Sequence, residues 1–244
     1  MNAPFLDVII PAYNEERRLP LALEQALHFL ENQDYDYELV VVENGSQDQT
    51  FRIAQEFAAR YPQVRVIQET ARGKGLAVRR GMLESRGEYR FMCDADFSMP
   101  INEINRFIPP ILTGFDIAIA SREAPGAVRY DEPLYRHLGG RLINLMIRLS
   151  TLPGLHDTQC GFKCFRGAVA DELFSRQIMT GWSFDVEILY IASRFGYRIV
   201  EIPIPWYFST ESKVSPLLNS IQIARDLWRL HRNAQKGLYK KSVP

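Results

Sequence analysis

The sequence contains little cysteine and has no excess of either charge. Among its 244 residues there are 3 cysteines, and Lys plus Arg equals Asp plus Glu at 29 each. Cys93, Cys160 and Cys164 are an odd set without the paired spacing of a metal site, which predicts free thiols in a reducing compartment. The balanced charge gives no reason to expect nucleic acid as a partner.

Long apolar runs are also absent. No stretch is long enough to span a bilayer, and residues 1–8 have neither a basic start nor an apolar signal core. We therefore expect the protein to remain in the cytoplasm. Hydrophobic residues make up 46% and charged residues 24% of the chain, without repeats, which is typical of an ordinary globular protein.

Two common nucleotide-binding motifs are missing as well. The first apolar segment ends in Pro11-Ala-Tyr-Asn-Glu15 rather than in a Gly-x-Gly-x-x-Gly turn, and no P-loop occurs. These absences argue against a nicotinamide-dependent dehydrogenase and against a Walker-type ATPase.

What the sequence does contain is an alternation of apolar strands with amphipathic helices. Strands are predicted to begin at Asp7, Glu38 and Val64. The helices between and after them are indicated by apolar side chains at helical spacing, namely Leu23, Ala26, Leu27 and Leu30, then Ile53, Ala54, Phe57 and Ala58, then a third run through Leu83. This order predicts an α/β fold with a mostly parallel central sheet and helices on both faces.

A short acidic segment follows the fourth predicted strand, Tyr89–Cys93. Asp94 and Asp96 come directly after it, where ligands collect beyond the carboxyl ends of strands in an open sheet. Alternate residues of an extended chain point the same way, so the two carboxylates form a hard-oxygen site for Mg²⁺ or Mn²⁺. Taken alone, the spacing favours a helix cap or a solvated turn, and the surrounding motifs reverse that preference.

Several motifs together resemble family 2 glycosyltransferases, which have the Rossmann-like type-A glycosyltransferase fold. They are Val8-Ile-Ile-Pro-Ala-Tyr-Asn-Glu15, Val41-Val-Glu-Asn-Gly-Ser-Gln-Asp-Gln-Thr50, Gly73-Lys-Gly75 and Asp94-Ala-Asp96. Later motifs resemble the dolichyl-phosphate glucosyltransferase branch, with dolichol-phosphate mannose synthases as near relatives. These are Ala120-Ser-Arg122, Asp157-Thr-Gln-Cys-Gly-Phe-Lys163, Trp182-Ser-Phe-Asp-Val-Glu187 and Ile202-Pro-Ile-Pro-Trp206.

The resemblance implies roles for residues on the donor side. The residues expected to surround the base and ribose are Pro11, Ala12, Tyr13, Glu15, Glu43 and Asn44. Lys74 is expected near the diphosphate, Asp94 near the ribose and metal, and Asp96 as the principal metal ligand. Three positions, in two motifs, depart from the family pattern. Glu43 and Asn44 replace an Asp pair, and Ser98 stands where the mannose synthases have Gln, so Ser98 is left out of the metal set.

The resemblance also places Arg122 and Arg136 at the acceptor phosphate, with Arg129 and Arg141 as nearby alternatives. A lipid phosphate needs no general base, because its second pKa of about 6 leaves it largely anionic at neutral pH. A hydroxyl acceptor would need a carboxylate, for which Asp157, Asp185 and Glu187 are candidates. Asp157 also borders the donor sugar in this branch and is counted as catalytic. Asp185 and Glu187 also suit the first turn of a helix.

We therefore expect an inverting, metal-dependent glycosyltransferase that moves a hexose, with glucose from UDP-glucose favoured, onto a polyprenyl phosphate such as dolichyl phosphate. One alternative keeps the fold but uses GDP-mannose or a hydroxyl acceptor. Another is a non-catalytic protein that binds nucleotide sugars at a membrane, which the intact Asp94 and Asp96 disfavour.

Residues 1–212 are predicted to form the catalytic domain, with a nucleotide-sugar half to about residue 122 and an acceptor half from about 123. Residues 213–244 are predicted as a basic amphipathic helix and tail. Its basic residues are Arg225, Arg229, Arg232, Lys236 and Lys240, and its apolar face is Leu217, Ile221, Ala224, Leu227, Trp228, Ala234 and Leu238. We expect this helix to hold the protein on the cytoplasmic face of a membrane, unless it packs only on its own domain.

Overall fold

The computed structural model describes residues 3–96, 98–208 and 216–241. The amino-terminal half alternates strands and helices: β1 (Leu6–Ala12), α1 (Leu19–Leu30), β2 (Tyr37–Glu43), α2 (Thr50–Arg60), β3 (Val64–Gln68), α3 (Lys74–Glu84) and β4 (Tyr89–Cys93). The second half is less regular. It contains a 3₁₀ helix (Ile101–Phe107), β5 (Ile117–Ser121), β6 (Val128–Tyr130), α4 (Leu134–Ser150), β7 (Phe162–Arg166), α5 (Gly167–Phe174), α6 (Phe184–Phe195), β8 (Ile199–Pro203), β9 (Pro205–Tyr207) and α7 (Pro216–Gln235).

Seven strands form the central sheet in the order β3-β2-β1-β4-β7-β5-β8, and β6 pairs with β9 in a small second sheet. Strands β1 to β4 are parallel, as are β5 and β8, whereas β7 runs antiparallel to both of its neighbours. The predicted mostly parallel sheet with helices on both faces is confirmed. Alternate residues of the strands feed two cores, one under α1 and α2 and the other under α3, α5 and α6.

The aromatic residues Phe91, Phe107 and Phe162 fix β4 against β7. Their rings meet edge to face, with centroids 4.5 Å apart between Phe91 and Phe162 and 5.3 Å apart between Phe107 and Phe162. All three are fully buried. Because this geometry is favourable for aromatic pairs, it stabilises the antiparallel pairing and brings the segment before β7 beside Asp94.

Helix α7 packs against α4. Its buried face is Ile223, Leu227 and Leu230, whereas Ile221 and Trp228 are exposed. The predicted apolar face therefore divides: Leu227 packs inward, whereas Ile221, Ala224 and Trp228 lie on the outer surface. Leu238 and Lys240 follow the helix, which ends at Gln235.

Three expectations for the carboxyl-terminal part fall outside the described residues. They are the boundary near residue 212, the side chain of Leu217 and the end of the tail at 242–244. Within the described part, no helix combines the length and the apolarity that crossing a membrane requires.

Candidate functional site

A cleft of about 520 Å³ lies beyond the carboxyl ends of β1, β4 and β5, a volume typical of small-molecule sites. The predicted residues among its lining are Pro11, Ala12, Tyr13, Glu15, Asn44, Lys74, Asp94, Asp96 and Arg122. Glu43 and Asp157 are buried behind that lining. Arg136 belongs to α4, which forms one wall, and its side chain is outside the described residues.

Asp94 is held at the floor of the cleft by β7. Its backbone N–H donates to the Gly161 carbonyl at 3.1 Å. A Cβ at Gly161 would lie 2.0 Å from Asp94 Oδ2, so only glycine leaves room for the carboxylate. Lys74 Nζ lies 2.6 Å from Asp94 Oδ1 and 4.8 Å from the centre of the Trp182 ring.

Lys74 remains a cation in this environment. Burial would lower the pKa of its ammonium group, but the carboxylates of Asp94 and Asp185 more than offset burial, and the net pKa is raised above the ordinary 10.5. A fixed positive charge beside a carboxylate, at the first residue of α3, suits the binding of phosphate.

Asp96 follows Asp94 by two residues and also lines the cleft. Its Oδ1 accepts from the Ser98 N–H at 3.0 Å, and Oδ2 lies 4.0 Å from an Nη1 of Arg18. Arg18 in turn donates from Nε and Nη2 to the two carboxylate oxygens of Glu15, each at 2.6 Å. The side chains of Asp94 and Asp96 are 29% and 25% exposed, so both carboxylates reach the cleft.

In the described part of the chain, no three His, Cys, Asp or Glu side chains cluster as a metal site. A divalent metal here would have two protein carboxylates, Asp94 and Asp96. That donor set fits Mg²⁺ or Mn²⁺, because Mg²⁺ commonly takes one or two carboxylates and completes its shell with water and substrate phosphates.

Asn44 and Glu43 build the turns that carry the site. Asn44 Oδ1 accepts from the Gly73 N–H at 2.9 Å, and its Nδ2 donates to the Ala71 carbonyl at 2.5 Å. Glu43 accepts from the Ser46 N–H and, at 3.3 Å, from Gln68 Nε2. Asn44, which is predicted to contact the base, thus braces the loop before Lys74. Asn44 also lines the cleft, and its contact with the base stays a prediction.

Arg122 and Asp157 form an ion pair at the other end of the cleft. Arg122 Nε donates to Asp157 Oδ2 at 2.6 Å and Nη2 donates to Oδ1 at 3.0 Å, while the Arg122 backbone N–H also donates to Oδ2 at 3.1 Å. Asp157 is 0% exposed. Burial raises the pKa of its carboxyl, but Arg122 reverses that effect and the net pKa lies below 3.8. The anionic Asp157 therefore orients Arg122.

Trp206 and Arg129 complete this end. Arg129 is a predicted alternative for the acceptor phosphate, whereas Trp206 had no predicted contact. The guanidinium groups of Arg122 and Arg129 each lie 5.7 Å from the centre of the Trp206 ring. Arg129 also donates to Glu132 Oε2 at 2.6 Å and to Glu123. The only signal in the sequence was that Trp206, like Trp182 beside Lys74, lies in one of the motifs quoted above. Arg141, the other alternative, is mostly exposed and lies 3.8 Å from Glu123.

The two acids at the start of α6 have different surroundings. Asp185 lines the cleft and its Oδ1 accepts from the buried Lys163 Nζ at 2.7 Å, which in turn donates to the Cys160 carbonyl. Burial raises the pKa of Asp185. Glu187 instead points into the protein, where it accepts from the backbone N–H groups of Ile178 and Met179.

Residues 7–174 match the family model described as "Glycosyl transferase family 2", which is more than half of the chain. The chain belongs to glycosyl transferase family 2. The matched segment runs from Asp7 in β1 to Phe174 at the end of α5 and contains most of the cleft lining, including both acids after β4. The protein is thus a glycosyltransferase with the type-A fold.

Relatives that share about a third of their residues with this protein cover nearly the whole chain. A dolichyl-phosphate beta-glucosyltransferase of Dictyostelium discoideum is 33% identical over 250 residues, which is 97% of this chain and 76% of that protein. The dolichyl-phosphate beta-glucosyltransferase of Homo sapiens is 35% identical over 237 residues, covering 91% of this chain and 73% of the human protein.

Solved structures with the same fold include glucosyl-3-phosphoglycerate synthase from Mycobacterium tuberculosis. Its complex with Mn²⁺, UDP-glucose and glycerol 3-phosphate has a TM-score of 0.66 and 17% identity, covering 98% of this chain and 82% of that one. The complex with phosphoglyceric acid has a TM-score of 0.69 at 18% identity, covering 93% of this chain and 80% of that one. At these identities the similarity concerns the fold.

Proposed function

We propose that this glycosyltransferase moves glucose from UDP-glucose to a polyprenyl phosphate of the dolichyl type. The observation that carries the acceptor class is the Arg122–Asp157 pair, in which the buried carboxylate is already bound at both oxygens. A carboxylate so occupied is a poor general base, whereas the arginine that it orients suits an acceptor that arrives as an anion. The names of the relatives above support the same substrates.

The donor half of the proposal rests on Lys74, Asp94 and Asp96. Lys74 would bind the diphosphate, and its charge would stabilise the leaving group as the bond to the sugar breaks. Asp94 and Asp96 would hold a divalent metal, which when bound supplies further positive charge to the leaving diphosphate. The solved structure of the synthase with Mn²⁺ and UDP-glucose supports that choice of ion and donor.

The acceptor half rests on Arg122. The pair with Asp157 uses two of the five N–H donors of the guanidinium group, and three are left for a phosphate monoester. Trp206 under the group restricts its orientation. The acceptor oxygen would then attack the sugar from the side opposite the diphosphate, so that the product is the β anomer. Arg136 remains a second candidate for the same phosphate.

A polyprenyl phosphate stays in the bilayer, so the proposed enzyme must bind a membrane surface. Helices α4 and α7 wall the cleft and pack on each other. Apolar side chains project outward from both helices, namely Leu142, Leu145 and Leu149 of α4 and Ile221 and Trp228 of α7. We call these five residues the apolar patch. Arg232, whose guanidinium lies 5.3 Å from the centre of the Trp228 ring, would favour an anionic surface. We propose peripheral attachment to the cytoplasmic face.

A second candidate keeps the donor but uses a hydroxyl acceptor, and Asp185 is the observation in its favour. This carboxyl lines the cleft, and burial raises its pKa, as a general base requires. Its ion pair with the fully buried Lys163 favours a structural or sugar-binding role instead.

The test is incubation of the protein with UDP-glucose, UDP-galactose or GDP-mannose, each with a short polyprenyl phosphate or the corresponding polyprenol, with Mn²⁺ or with a chelator. Mass analysis identifies the lipid product and nuclear magnetic resonance its anomer. We expect a β-glucosyl phosphate lipid from UDP-glucose that requires the metal. Transfer to the polyprenol instead would favour the hydroxyl mechanism. Transfer of mannose would identify GDP-mannose, rather than UDP-glucose, as the donor.

A further inference from the structure

The turn that places Lys74 is braced by a segment that is distant in sequence, residues 177–180. The Gly75 N–H donates to the Thr180 carbonyl at 2.9 Å, and Gln177 Nε2 donates to the Gly75 carbonyl at 2.8 Å. The contact is backbone against backbone, since a Cβ at Gly73 would lie 2.4 Å from the Thr180 oxygen. A shift of residues 177–180 therefore moves the start of α3 and Lys74 with it.

Glu187 in turn holds this brace. Its carboxylate is 0% exposed, and Oε2 accepts from the backbone N–H groups of Ile178 at 3.0 Å and Met179 at 2.8 Å. A buried carboxylate with only two such bonds would leave its second oxygen without a donor, which is costly. That donor is the Tyr239 hydroxyl, 2.6 Å from Oε1.

Tyr239 comes from the segment after α7 and is itself buried. Asn233 Nδ2 lies 3.2 Å from its hydroxyl oxygen, so α7 fixes the ring in place. A second bond joins α7 to the same wall of the cleft, from Ser183 Oγ to Asp226 Oδ2 at 2.6 Å. The Ser183–Asp226 bond connects α7 to the residue before α6, and the Tyr239–Glu187 bond connects the segment after α7 to the first turns of α6.

We propose that Tyr239 is a positioning residue for Lys74, acting through Glu187 and residues 177–180, so that the carboxyl-terminal segment sets the affinity of the site for a nucleoside diphosphate. This rests on the proposed function only in assigning the diphosphate to Lys74. The acceptor plays no part in it. The arrangement makes α7 part of the donor site as well as a wall beside the acceptor.

The experiment compares Tyr239→Phe with the matched control Tyr197→Phe, which also loses a tyrosine hydroxyl bound to a glutamate, here Glu172. Binding of UDP, and of uridine by competition, is measured for each variant. The same substitution is repeated in a Lys74→Ala background. Hydrogen exchange of the amides in residues 177–180 is followed without ligand. Glu187→Gln serves as a second variant, in case Tyr239→Phe fails to fold.

We expect Tyr239→Phe to weaken UDP about two- to tenfold, the range that loss of one hydrogen bond allows, and to leave uridine unchanged. The loss should vanish in the Lys74→Ala background, and amide exchange in residues 177–180 should be faster in Tyr239→Phe but not in Tyr197→Phe. Equal weakening of UDP and uridine, the same loss without Lys74, or unchanged exchange would each overturn the proposal.

These outcomes are distinct from failure of the proposed function. If the protein formed no glucosyl lipid but the UDP results were as expected, the substrates would be wrong and the role of Tyr239 would stand. If GDP bound in place of UDP, the same comparison would be made with GDP and guanosine. If neither nucleotide bound, the proposal would fall.

Discussion

Four acidic residues in and behind the cleft fall into two groups by their surroundings. Asp94 and Asp96 are partly exposed and face the cleft, where charge can reach a ligand. Asp157 and Glu187 are fully buried, and each is occupied by an arginine or by backbone amides. A buried carboxylate is stable only when it is so paired. The first pair therefore suits catalysis, and the second pair orients the groups around it.

Asp96→Asn should reduce transfer at least about 100-fold, because the loss of a metal ligand removes part of the several kcal/mol that the ion supplies to the leaving group. The rate of glucosyl lipid formation is measured while Mn²⁺ is titrated. Asp34→Asn, at an exposed position, is the matched control. Near-normal turnover in a folded Asp96→Asn variant would remove this residue from the metal site.

Asp157→Asn should raise the KM for polyprenyl phosphate while UDP affinity stays the same, because Arg122 loses its orientation and the donor pocket keeps its residues. Breaking a buried ion pair should also lower the free energy of unfolding by about 3 kcal/mol. Kinetics with varied acceptor and calorimetry with UDP separate the two effects. Weaker UDP binding with unchanged use of the lipid would place the pair on the donor side.

The same pair should contribute to stability in a pH-dependent way. The folded pKa of Asp157 is lowered below the ordinary 3.8, so the unfolded chain takes up a proton first as pH falls. The stabilisation is present above that ordinary value and is lost as pH falls through the folded pKa. Urea unfolding from about pH 6 to about pH 3 should therefore show a shallower acid decline in Asp157→Asn than in the parent protein.

At the scale of elements, the sequence predicts β1 to β4 and the helices between them well. The reason is local: a buried parallel strand is a short apolar run, and α1 and α2 bury one face at helical spacing. The antiparallel β7 could not be foreseen, since its place depends on Phe162 packing against residues far along the chain. Nor could the Tyr239–Glu187 bond, which spans 52 residues.

The candidate site residues were likewise predictable where local sequence patterns place them, and unpredictable where they depend on contacts between distant residues. Asp94, Asp96 and Lys74 follow or open predicted elements, so their meeting at one edge of the sheet was predictable. Asn44 was expected at the base because its carbonyl can accept, but it also braces the Gly73 turn. No local pattern distinguishes those uses, because both need a short amide at the end of β2. The bond from Asp157 to Arg122 likewise joins residues 35 apart.

Gly161→Ala tests how β7 positions β4. The added methyl would meet the Asp94 carboxylate, so we expect that side chain to turn away, transfer to fall at least about tenfold, and stability to fall by about 1 to 3 kcal/mol. Gly154→Ala is the matched control, since its Cβ would meet nothing within 4 Å. If Gly161→Ala transferred glucose normally, the position of the Asp94 carboxylate would be unimportant for the reaction.

For the whole molecule, the two faces of the sheet have different tasks. Helices α1 and α2 cover one core, and α4 and α7 lie over the other, beside the cleft and with the apolar patch outward. Removing α7 would test membrane binding poorly, because Tyr239 and Asp226 tie that helix to the walls of the cleft. Single substitutions on the outer surface leave those bonds intact and are the better probe.

Leu149→Glu and Trp228→Ala should weaken binding to anionic vesicles, because both remove apolar area from the apolar patch and the first also adds repulsion. Leu149 is 79% and Trp228 64% exposed, so neither change should alter folding much. Leu21→Glu, at an exposed position of α1 over the other core, is the control.

Each basic residue near the surface contributes about 1 kcal/mol, so binding by the parent protein should also weaken as salt rises. Co-sedimentation with anionic and neutral vesicles measures the binding of the three variants and of the parent protein, the latter also at rising salt. Equal loss in Leu21→Glu, or binding that ignores both the patch and the lipid charge, would place the membrane contact on another surface.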